Sequence, residues 1–140
     1  MASAAVLYTP QVLALATSLA DYPWNEELPL QGSARSKSCG STLMLGLGMD
    51  EAGRIIEVAL RPQACAIGQA AAAIFAAGAR GADAARIAEV DRQLSAWLAG
   101  EACLPDWPGI EAIAAAREYP ARHGAIRLAW QAARDLLPTG

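Results

Sequence analysis

Three cysteines and one histidine carry the atoms best suited to nucleophilic or metal chemistry in this sequence: Cys39, Cys65, Cys103 and His123. Cys39 lies in Ser38-Cys39-Gly40-Ser41, where Gly40 frees the backbone to present the thiol on a tight, exposed turn. Cys65 lies in Gln63-Ala64-Cys65-Ala66-Ile67-Gly68, at the hand-over from a strand to a helix. Amides at a helix start stabilise anions, so that position favours a thiolate. His123, the one histidine, stands in Pro120-Ala121-Arg122-His123-Gly124-Ala125 at the start of the last helix. Two thiolates and one imidazole make a donor set for Zn or Fe. Taken singly, a cysteine is more often a small core hydrophobe, and a lone histidine is more often a surface or capping group than a ligand. Cys103, in a Pro-rich loop, stays with the bland reading. Three cysteines form no even disulfide framework, which fits a reducing compartment.

The elements that must position these groups follow from periodicity. Thr9-Pro10 caps and opens a first helix with Val12, Leu13, Ala16, Leu19 and Ala20 at helical spacing, stopped by Tyr22-Pro23-Trp24. Three strands follow: Gly32 to Ser38 as an exposed or edge strand, Thr42 to Met49 with Leu43, Leu45 and Leu47 on one side, and Arg54 to Arg61. Asp50-Glu51-Ala52-Gly53 is a turn, so the last two strands are antiparallel. This hairpin spans most of the 26 residues from Cys39 to Cys65 and returns the chain on itself. The spacing therefore predicts the two thiols close together at one end of the sheet. Ala64 to Ala77 reads as a helix buried on most sides and ended by Gly78. Asp83 caps an amphipathic helix to Leu98 with Ile87, Val90, Leu94, Trp97 and Leu98 on one face. Residues 100–108 form a loop, Pro108 to Glu118 reads as helical, and a last helix runs from about Ala121 to Leu136. The order implies one α+β domain over residues 1–140: a small three-stranded antiparallel sheet with helices packed on one face.

Composition excludes several functions. Of 140 residues, 54% are hydrophobic and 18% charged, which rules out a disordered chain. Alanine takes 34 positions, so the core must pack closely from small side chains. Eleven basic against 14 acidic residues give a net charge of −3, which speaks against nucleic acid as a partner. The run Ala64 to Ala79 holds Gln69 between Arg61 and Arg80 and is too short and weakly apolar to span a bilayer. Met1 to Leu7 lacks the basic start of a signal sequence, so the expected location is cytoplasmic, without membrane partners. No phosphate-binding glycine loop, dinucleotide fingerprint or nucleophile elbow is present; Gly46-Leu47-Gly48 lacks a third glycine and lies in a strand. The adjacent acids Glu26-Glu27 and Asp50-Glu51 read as solvated loop pairs.

Ser38-Cys39-Gly40-Ser41, the hairpin ending Gly53-Arg54-Ile55-Ile56-Glu57, and Ala64-Cys65-Ala66-Ile67-Gly68-Gln69-Ala70 together resemble the iron–sulfur cluster assembly scaffold family of IscU, SufU and NifU N-terminal domains. The segment from Gly78 to Pro108 resembles the insertion of the SufU-type branch, and Tyr119-Pro120-Ala121-Arg122 with Leu128-Ala129-Trp130 resembles that branch's stretch before and within the last helix. The resemblance implies a SufE/NifU-like fold, a scaffold or carrier role, and an iron–sulfur cluster or a Zn or Fe ion as the bound group. It implies Cys39 and Cys65 as the reactive and ligating thiols, His123 as a further metal ligand, and a cysteine desulfurase and other iron–sulfur assembly proteins as partners.

The sequence departs from that pattern at two ligands. Ser41 stands where the family has Asp, and Gly124 or Ala125 stands where it has a third Cys. Structural Zn sites with four good ligands bind with about 10–16 kcal/mol, so the reduced set implies weak occupancy or none. Two other functions stay open beside the scaffold: a persulfide acceptor needing one reactive thiol, and a metal-free interaction module that keeps the fold.

Overall fold

Thr9 fixes the start of the chain's first regular element. In the computed structural model, which describes residues 7–37 and 40–137, its hydroxyl accepts from Val12 N at 3.1 Å and Pro10 takes the first helical position. Helix α1 spans Pro10–Thr17 and tightens into a 3-10 turn, Ser18–Asp21, before Tyr22 ends it. Of its apolar residues Val12 is fully buried, whereas Leu13 stands 48% exposed.

Strands β1 (Leu30–Arg35), β2 (Thr42–Met49) and β3 (Ile55–Gln63) form an antiparallel meander in the order β1-β2-β3. Strand β1 begins and ends earlier than the alternation predicts, because the chain turns at Ser36, where its N–H donates to the Ser41 carbonyl. Leu45 pairs with Leu60 and Leu47 with Val58, so one face of the hairpin is apolar and buried. Thr42 pairs with Gln63 at the opposite end of the hairpin from the 50–53 turn.

Helix α2 (Ala66–Ala79) is buried nearly all round. It runs two residues past the predicted end, and Gly78 lies within it. A Cβ at Gly78 would sit 2.6 Å from Trp107 Nε1, so this glycine serves packing, and the left-handed residue is Gly81. Trp107, in what reads as a loop, stacks on Phe75 at 5.8 Å; both meet Trp130 edge-on. Its Nε1 donates to the Ile74 carbonyl at 2.9 Å. Among so many alanines, this aromatic trio supplies some of the largest side chains of the core.

Helix α3 (Ala84–Leu98) is capped by Asp83, which accepts from Arg86 N, and buries the five apolar residues its spacing predicts. Residues Ile110–Glu118 form 3-10 turns kinked at Ile113 in place of a regular helix. Helix α4 (His123–Leu136) follows the 3-10 turn Pro120–Arg122. It lies against β1, β2, α2 and α3, and Leu136 approaches so closely that a Cβ at Gly32 would come within 2.9 Å of it. The architecture is α+β, a three-stranded antiparallel open sheet with α2 and α4 on its apolar face.

Candidate functional site

Cys65 is the N-cap of α2, with φ −64° and ψ 169°, so the helix begins at the next residue. Two interactions fix this corner. Gln69 N donates to the Cys65 carbonyl at 2.9 Å, and the Gln69 side-chain amide donates to the Ala64 carbonyl at 2.9 Å. The thiol makes no capping hydrogen bond, and the residue is half-buried against the core. It is thus held on a rigid corner while remaining reachable from solvent.

Cys39, with Ser38, lies outside the described residues. The residues flanking it form a narrow turn: Gly40, at φ 71°, donates its N–H to the Ser36 carbonyl at 3.1 Å, and Ser36 donates to Ser41 at 2.8 Å. Gly40 is exposed and nothing stands within 4 Å of where its Cβ would be. That turn leads into Thr42, whose partner Gln63 is two residues before Cys65. Ser41 itself is buried.

The start of α4 presents its residues in different directions. His123 is half-buried, with Nε2 2.7 Å from the Arg117 carbonyl, which leaves Nδ1 as its uncommitted nitrogen. His123 and Gly124 line a depression of about 320 Å³ with Ser95, Leu98 and Ala99 of α3. Ala125 is buried and faces α2: its Cβ would lie 3.1 Å from a Cβ on Gly68, one turn beyond Cys65. Of the two positions the sequence leaves open for a third thiol, Ala125 is the one turned toward the Cys65 helix. Among the described residues, no three His, Cys, Asp or Glu side chains group as a metal site. Cys103 is exposed and borders a separate hollow with Leu104, Pro105 and Asp106.

Sequence reasoning passes over the buried carboxylate of Asp91. It sits on α3, 2% exposed, with Arg134 Nη1 at 2.9 Å and Arg127 Nη2 at 3.7 Å from α4. The signal was present: Asp91 neighbours Val90 on the apolar face, and Arg127 and Arg134 are seven apart on one face of α4. A depression of about 440 Å³ lies among Tyr22, Trp24, Glu57 and Arg80, around the far end of α2 from Cys65.

No family model and no curated protein matches the chain. Solved structures do. The NifU-like protein (N-terminal) from Brucella abortus shares 26% identity over 95% of this chain and 93% of its own, with a TM-score of 0.83. A protein from thermophilic Fervidobacterium islandicum AW-1, assigned as an iron–sulfur cluster assembly scaffold for the SUF system, shares 18% identity over 96% of this chain and 98% of its own, with a TM-score of 0.84. The structural neighbours of this chain are thus NifU-like and SufU-type proteins, and its α+β fold is theirs, as the cysteine motifs imply.

Proposed function

We propose that this protein is a scaffold or carrier in iron–sulfur cluster assembly, working with a reduced ligand set. Cys65 and Cys39 are its two thiol ligands. His123, which shares the α3-facing depression with Gly124, would supply a third donor through Nδ1 once the start of α4 turns it toward Cys65, since Nε2 already engages the Arg117 carbonyl. An iron–sulfur cluster, or an Fe or Zn ion, is the cargo, and a cysteine desulfurase with other assembly proteins forms the partner set. The protein catalyses no reaction by itself in this reading. The chain is one domain, and its place of action is the cytoplasm.

The observation that carries the reading is Cys65 itself: a half-exposed thiol at the N-cap of a buried helix, in the fold of assembly scaffolds. The donor set fits a bound metal in type, since thiolates and imidazole suit Fe and Zn, but not in number. Ser41 offers a buried hydroxyl in place of a carboxylate, and Ala125 a methyl in place of a third thiol. A ligand from the partner that delivers or receives the cargo would complete such a site. Weak holding by the free protein then serves transfer.

The test is an anaerobic titration of untagged protein with Co(II) and with Fe(II), followed by absorbance. Thiolate-to-metal charge-transfer bands are expected at millimolar metal and should disappear in Cys65→Ala. Absence of such bands in the wild type would favour the metal-free interaction module. Addition of a single sulfur atom at Cys39 or Cys65 after incubation with a desulfurase and cysteine, without any metal band, would favour the persulfide acceptor.

A further inference from the structure

At the far end of α2 from Cys65, Arg54, Arg80 and Arg86 surround an open depression of about 340 Å³. The helix between is 14 residues long, about 20 Å. Three of the chain's 11 basic residues meet here although the whole chain carries −3. They come from three places: Arg54 from the start of β3, Arg80 from the end of α2, and Arg86 from the first turn of α3.

The backbone beneath them is held firmly. Ile55 N donates to the Ala82 carbonyl at 2.9 Å and Gly81 N to the Ile55 carbonyl at 2.8 Å, which stitches the 79–82 turn to β3. Asp50 accepts from Arg54 N at 2.9 Å. Arg86 lies over the Trp107 ring at 5.4 Å and donates to the Asp106 carbonyl. The guanidiniums of Arg54 and Arg80, both exposed, take part in no ion pair among the described residues. Nothing stands within 4 Å of a Cβ at Gly81, so the floor is open to a ligand.

We propose that this depression docks an acidic segment of a partner protein through carboxylate side chains. Guanidinium is the cation best shaped for bidentate carboxylate contacts. A free phosphate suits the place less well, because the amides that would cradle it are already used. Gly81 N bonds Ile55, Ala82 N bonds Ala79, and Arg86 N bonds the Asp83 side chain. The Asp83 carboxylate in the lining also opposes a compact, doubly charged anion. What remains is the two exposed guanidiniums of Arg54 and Arg80, beside an Arg86 already paired with the Asp106 carboxylate at 3.9 Å, which matches carboxylates spaced along a chain. The docking face lies at the opposite end of α2 from Cys65, so a partner held there leaves that thiol free.

The probe is a fluorescein-labelled glutamate decapeptide, followed by anisotropy at low salt. Wild type should bind it, with affinity falling as salt rises. The double variant Arg54→Gln/Arg80→Gln should weaken binding about tenfold. The charge-matched double Arg35→Gln/Arg61→Gln should change it less than about twofold. All four positions are exposed, and equal thermal melts would show that the fold is kept. No binding by the wild type, or equal loss in the two doubles, overturns the proposal. So does displacement of the peptide by sub-millimolar inorganic phosphate, or tighter binding of a single-stranded oligonucleotide of equal charge.

Discussion

Gly124 and Ala125 differ by about 100° of rotation at the start of a helix, and that rotation decides what either could do. Gly124 opens toward α3, whereas Ala125 faces Gly68 on the first full turn after Cys65. The missing Cβ of Gly68 lets Ala125 pack closely against α2, so a sulfur at position 125 would be held against the first turn of the Cys65 helix after a small shift of its neighbours. Ser41→Asp with Ala125→Cys is therefore expected to raise Zn affinity over wild type by about 5–8 kcal/mol, since the added thiolate and carboxylate each restore one of four ligands. Ser41→Asp with Gly124→Cys should gain only the carboxylate's share, about half of that. Equilibrium dialysis against Zn on the wild type and both doubles measures this. Equal gains would show that α4 shifts or rotates freely at its start. Tight wild-type binding would show that His123 already completes the site. Neither cysteine motif contains this information: one residue of register is set by how α4 packs, and Ala and Gly are both small enough to satisfy a sequence pattern there.

Two contacts between elements account for much of how α2, α3 and α4 are locked together. Gly78 lets Trp107 lie against α2, and Trp107 cannot retreat because it is stacked on Phe75 and bonded to Ile74. In an exposed helix, Gly→Ala stabilises by about 1 kcal/mol. Here Gly78→Ala should instead cost about 1–3 kcal/mol from overpacking, read by urea denaturation, with a changed Trp emission in the folded state. A stabilised variant would mean that the Trp107 contact is loose in solution. The second contact is the tie from Asp91 to Arg127 and Arg134. Removing both arginine head groups (Arg127→Met/Arg134→Met) leaves a carboxylate that is 3% exposed without a counter-charge, at a cost of about 3–5 kcal/mol. Adding Asp91→Leu should recover most of that, whereas independent, additive losses would show that the pair is not coupled. These contacts explain where sequence reading stops. The hairpin and α3 were legible because their apolar residues repeat at 2.0 and 3.6. Gly78 reads as a helix end because its partner is 29 residues on, and Pro108–Glu118 reads as a regular helix because nothing local announces the kink at Ile113.

At the scale of the whole molecule, Cys65 borders the core without forming part of its fully buried interior. The aromatic trio, the buried face of the hairpin and the all-round burial of α2 form an extensive apolar core. Small metal-dependent domains behave differently, because their binding energy is their folding energy. The folding free energy here comes from apolar burial, and ligand binding adds to it only as RT ln(1 + [L]/Kd). A site with few ligands has a high Kd, so that addition is small at micromolar metal. Thermal unfolding of the purified protein should therefore move by less than about 2 °C when a strong chelator replaces micromolar Zn, a shift corresponding to under about 1 kcal/mol for a chain of this size. Calorimetry or circular dichroism with and without chelator checks this. The same measurement on Ser41→Asp/Ala125→Cys should show a chelator-sensitive increase of several degrees, since a completed site binds the native state selectively. A wild-type melting point that falls by more than about 5 °C on chelation would mean that metal is part of the fold.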